Sequence, residues 1–167
     1  MNKHTLWAAV FAVIAGILQS TLLRRLAVYH AVPDLALGIL VFAAYTNGVM
    51  TGQLTGFFSG LLLDFLSYAP LGFNAFIRTL VGAAAGLING SFFLDAMLLP
   101  MGLCACATAA KAALQYILHL LFAEAIPCYA FFEPTLWVEL ALNTLSAPLL
   151  FGLLKSFGGL LAGGREK

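Results

Sequence analysis

Thr51 to Gly90 reads TGQLTGFFSGLLLDFLSYAPLGFNAFIRTLVGAAAGLING, and the reading of this stretch decides the fold. Gly52, Gly56 and Gly60 recur every four residues, and the next step of four reaches Asp64. Beyond Pro70-Leu71-Gly72 the order reverses: Arg78 comes first, then Gly82, Gly86 and Gly90 at the same spacing. A step of four along an α-helix rotates by only about 40°, so each set forms one stripe. The stretch therefore reads as an antiparallel helical hairpin turning near Leu71, with two glycine stripes side by side and the backbones close together. Asp64 and Arg78 each lie seven residues from Leu71. Equal depth predicts that the acid and the base pair with one another.

The rest of the chain shows which solvent surrounds that hairpin. Of its 167 residues, 62% are apolar and only 9% are charged, with a mean hydropathy of +0.99. A soluble domain carries about 25% charged residues. So little polar surface cannot coat a globule in water, which leaves lipid. Polar residues do not alternate with apolar ones as a barrel lumen requires, so the spans are helices, which satisfy their own backbone in hydrocarbon. The net charge of +1 is uninformative, and the lack of a basic stripe argues against nucleic acid as a partner. Cys104, Cys106 and Cys128 form neither a disulfide framework nor a zinc pattern and read as small packing residues.

One transmembrane domain covering residues 1–167 is expected, all-α, with six spans at roughly 5–23, 35–46, 49–65, 73–89, 96–122 and 135–157. The first is too long for a signal-peptide core and reads as a retained span. Its Ala8, Ala12 and Gly16 form a further small-residue contact face. Pro33-Asp34 suits a helix start, since proline lacks an N–H that would be idle there and the carboxylate complements the dipole. Asn47-Gly48 reads as a helix stop. Tyr129, Phe131, Phe132 and Trp137 read as an interfacial aromatic belt, and Pro148 as a kink. Six spans set Lys3, Lys155, Arg165 and Lys167 against Arg24 and Arg25, with both termini cytoplasmic. Fusing Leu35 to Asp64 into one helix gives five spans and a stronger basic bias. The Asn47-Gly48 break favours six.

Ionisable residues inside lipid need a reason to be there. Asp64 and Arg78, with Gly56, Gly60, Gly72, Gly82 and Gly86, are the candidates for a structural or partner-binding site. Lys111 lies level with Thr144 to Ser146 in the last hairpin, and Glu139 with His119, so Lys111 has no expected partner there. It snorkels, loses its proton or points into a cavity. A cavity makes Lys111, Glu139 and Asn143 its candidate lining. No catalytic arrangement, cofactor motif or metal cluster emerges from the spacing of the histidines, serines and acids, so the chain reads as a non-enzyme.

Pro33-Asp34, the segment Gly56-Phe57-Phe58-Ser59-Gly60-Leu61-Leu62-Leu63-Asp64, Pro70-Leu71-Gly72 and Arg78-Thr79-Leu80-Val81-Gly82 together resemble the bacterial rod-shape-determining family MreD. The resemblance implies a multi-pass plasma-membrane protein that binds MreC. It also implies work, direct or indirect, with the elongation machinery: RodA, a penicillin-binding transpeptidase and MreB. It implies a fold similar to the S-components of energy-coupling-factor transporters, six helices around a central cavity. The alternative is such an S-component itself, binding a vitamin or micronutrient. A lipid-handling transporter is a weaker third reading.

Overall fold

The computed structural model describes residues 2–21, 31–67, 69–90, 97–122 and 134–161. They form helices α1 (Lys3–Thr21), α2 (Leu35–Asn47), α3 (Val49–Leu66), α4 (Phe73–Leu87), α5 (Leu98–Leu121), α6 (Pro134–Ser156) and the short α7 (Gly158–Leu161). Each expected span corresponds to one of α1 to α6, within two residues wherever its end is described. Tyr129, Phe131 and Phe132 of the expected aromatic belt, and Cys128, lie outside the described residues; Trp137 stands exposed on the first turn of α6.

The break at Asn47-Gly48 is real. Gly48 sits at φ +88°, and its N–H closes the last turn of α2 on the Ala44 carbonyl at 2.8 Å. The next residue starts α3, so Leu35 to Asp64 is two helices and not one. Asn47 Nδ2 donates to the Leu161 carbonyl at 2.7 Å, and His4 Nδ1 lies 3.0 Å from the Leu160 carbonyl. The start of α1, the end of α2 and α7 therefore share one end of the bundle.

α2 is the centre, and the α3–α4 hairpin is one wall. α2 packs against α1, α3, α4, α5 and α6. Every residue from Ala36 to Ala44 is buried. Its sequence is apolar on all sides, the pattern of a helix with no solvent face. At 13 residues it rises about 20 Å, short of a hydrocarbon core of about 30 Å. α1, α3, α5 and α6 are long and apolar enough to cross a membrane; α2 and α4 are shorter apolar helices.

The exterior is inverted relative to a soluble protein. Exposed large side chains include Met50, Phe65, Leu87, Leu145 and Leu149, while Asp34, Asp64, Arg78, Glu139 and Asn143 are buried. That is the arrangement lipid dictates, with polar groups turned inward. Without water to drive apolar faces together, helices associate through close packing and polar bonds. Both are present. Ala8, Ala12 and Gly16 are buried on α1 as the small-residue stripe predicts, and Thr5 and Thr51 join α1 to α3 hydroxyl to hydroxyl at 3.0 Å.

The glycine seam closes in a defined register from Gly52 to Gly86, while Gly90 lies past the end of α4 at φ +68°. Gly52 meets Gly82, Gly56 meets the backbone of Arg78 and Thr79, Gly60 meets Asn74 and Ala75, and Gly86 meets Gly48 and Val49. A Cβ on Gly56 would stand 2.6 Å from the Arg78 carbonyl carbon, and one on Gly86 2.5 Å from Val49 Cα. No side chain fits between these helices.

Candidate functional site

Four elements converge on Asp34. It caps α2, with Oδ1 accepting the Leu37 N–H at 3.0 Å. The other oxygen, Oδ2, accepts from Arg78 Nη2 of α4 at 2.5 Å and from Lys111 Nζ of α5 at 3.2 Å. Lys111 Nζ also reaches Glu139 Oε1 of α6, at 2.5 Å. The side chains of Asp34 and Arg78 are only 2% and 3% exposed, so water does little to screen this cluster. Two acids and two bases sum to zero charge, which lets them persist in a bundle where one unpaired charge costs about 3 kcal/mol or more.

A neutral chain of hydrogen bonds continues from the same point. The Asp34 N–H donates to Asn143 Oδ1 at 2.7 Å, Asn143 Nδ2 donates to Thr108 Oγ1 at 3.0 Å, and the Thr108 hydroxyl donates to the Cys104 carbonyl at 2.8 Å. α2, α4, α5 and α6 are thus tied by one connected network. Beside it Asn143, Asp34 and Cys104 border a gap of about 10 Å³. A water-sized probe needs about that much. Among the described residues, α2 and its polar lock pack around this gap.

Asp64 does something else. Gly72 adopts φ +93° at the N-terminus of α4 and has no side chain with which to cap the helix. Asp64, at the end of α3, supplies the cap across the turn. Its Oδ2 accepts the N–H groups of Gly72 and Ala75 at 2.9 and 3.2 Å, and its Oδ1 accepts that of Asn74 at 2.8 Å. These are the donors that the first turn of any helix leaves idle. The carboxylate also faces the positive end of the α4 dipole.

The family model for rod shape-determining protein MreD matches residues 1–157. The chain belongs to the MreD family. MreD proteins are rod-shape determinants, and the apolar helices fit a membrane member of that family. No match was found among curated proteins or among solved structures.

Two expectations about charge are corrected in this MreD chain. Asp64 does not pair with Arg78: both its oxygens are taken by backbone donors of α4, and Arg78 reaches across to α2. Lys111 is not without a partner, and Glu139 is level with it: the two meet directly, because depth counted from sequence took no account of how α5 and α6 slide past each other. Lys111, Glu139 and Asn143, expected as cavity lining, are bonded into the lock, and Asn143 also borders the small gap beside it. Sequence reasoning missed Asp34 as anything beyond a cap, and missed Thr108. The available signal was charge balance: Arg78 and Lys111 are two cations, and with Asp64 used by a turn, Glu139 alone cannot neutralise them.

The observed pairing sets the outcome of two double-mutant cycles. Asp64→Ala and Arg78→Ala should each destabilise the protein, and their losses should add to within about 0.5 kcal/mol, as for independent sites. Asp34→Asn with Arg78→Gln should fall short of the sum by about 1 kcal/mol or more, as for contacting groups. Denaturation in detergent micelles would read both cycles. Strong coupling between positions 64 and 78 would restore the pairing read from spacing.

Proposed function

We propose that this MreD chain is a non-enzymatic membrane component of the bacterial cell-elongation machinery. It binds MreC and helps organise peptidoglycan synthesis alongside RodA, a penicillin-binding transpeptidase and MreB. It sits in the plasma membrane with six spans and both termini cytoplasmic, in a fold like that of transporter S-components. The family match carries the reading. The buried lock supports it: Asp34, Arg78, Lys111 and Glu139 spend their charges on one another, which suits a rigid scaffold presenting outer faces to partners. The same pairing counts against the vitamin-binding alternative, since Lys111 and Glu139 are committed to each other and to Asp34.

Depletion should turn rod-shaped cells round or swollen, and re-expression should restore them. Tagged protein should co-purify MreC from solubilised membranes. Normal rod shape after verified depletion would overturn the role in elongation. Loss of shape with no MreC recovered would overturn the partner.

A further inference from the structure

A groove of about 520 Å³ runs along the outside of α6, beside the start of α5. Leu145, Pro148, Leu149 and Gly152 of α6 line it together with Met97, and Lys155 is the last lining residue along α6. Gly152 makes the dent, since a Cβ there would meet nothing within 4 Å. From Leu145 to Lys155 the helix rises about 15 Å, and apart from Lys155 no polar side chain lines the groove. Lys155 lies in the last turn of α6, exposed, with no acidic partner among the described residues. The buried lock uses none of these side chains.

We infer that this groove holds one acyl chain of an anionic phospholipid, with the Lys155 ammonium on its headgroup phosphate. The apolar floor takes a chain and cannot retain a water-soluble anion. The cation at the end prefers a headgroup of net negative charge to a zwitterionic one. A lysine reaches such a headgroup while its methylene stem stays on apolar surface. One basic residue near an anionic lipid surface gives a preference of about fivefold.

Native mass spectrometry of the detergent-purified chain tests this, with dioleoyl phosphatidylglycerol and dioleoyl phosphatidylcholine as probes. The unaltered chain should retain phosphatidylglycerol about fivefold better. Lys155→Ala should equalise the two lipids, Lys155→Arg should keep the preference, and Lys3→Ala, at an exposed lysine on α1, should leave it unchanged. Gly152→Leu sets its Cβ where no described atom lies within 4 Å and extends a side chain into the dent, so it should fold and lower retention of both lipids. Equal retention by the unaltered chain, or a preference that survives Lys155→Ala and Gly152→Leu, would overturn the inference. So would a lipid-independent dimer that Gly152→Leu dissociates, which would assign the groove to a second copy.

Discussion

Asp34→Ala should be the most damaging single substitution in the interior, removing stably folded protein from the membrane. It withdraws the carboxylate that accepts from both Arg78 Nη2 and Lys111 Nζ, and it uncaps α2. Arg78, buried, and Lys111, part-buried, would then lose the carboxylate they share. Breaking a buried ion pair from one side typically costs about 3–5 kcal/mol, because the surviving charge stays desolvated. Loss of a cap adds about 1 kcal/mol. Native stability is only about 5–15 kcal/mol, so the sum removes a large share of it. Asp34→Asn keeps an oxygen for the Leu37 N–H and should be the milder change. Arg78→Gln combined with Asp34→Asn should be milder than the two separate losses predict, since neither charge is then left alone. Thermal unfolding in micelles and immunoblotting of membranes would check the order. An Asp34→Ala protein that accumulates and melts like the unaltered chain would show that the cluster does not hold the bundle together.

Gly56→Leu should prevent the α3–α4 hairpin from closing, and Gly56→Ala should already weaken it. A Cβ at Gly56 would stand 2.6 Å from the Arg78 carbonyl carbon and 2.9 Å from the Thr79 nitrogen. The obstacle is backbone on a packed helix, so no side chain can swing aside and the two helices must separate. Overpacking a close contact costs about 1–3 kcal/mol for small insertions. Here separation also disturbs the neighbouring contacts at Gly52 and Gly60, and moves Arg78 away from Asp34. Gly102→Ala is the control. A Cβ at Gly102 on α5 meets nothing within 4 Å, so alanine there should be neutral or stabilise by up to about 1 kcal/mol through helix propensity. Equal melting of the Gly56 and Gly102 alanine variants would remove the case for a backbone-tight seam.

The two expectations rest on different links between sequence and structure. The seam was legible because it is local: glycines four apart mark a stripe on any helix, and a short turn forces the neighbouring helices together. The helix boundaries were legible for the same reason, from Pro33-Asp34, Asn47-Gly48 and Pro70-Leu71-Gly72. The charge partners were not. Depth alone points Asp64 at Arg78, but a carboxylate beside a turn also competes for the idle N–H groups of the next helix, and those lie closer along the chain. Counting residues gives Lys111 no partner in its own hairpin, because counting cannot give the shift between two long helices.

By itself, then, the sequence determined that this chain lies in lipid, that it is helical, where its helices break, and that α3 and α4 touch without side chains between them. Those properties follow from composition and from periodicities within about twenty residues. Only the tertiary structure decided that α2, and not the hairpin, is the centre, and that Asp34 gathers Arg78, Lys111 and Asn143 from three other helices. Those contacts join residues 44, 77 and 109 positions apart, where no spacing rule operates. The physical reason is that buried charges in a bundle take whichever partner the packing of all the helices brings within reach, and that packing is a property of the whole fold.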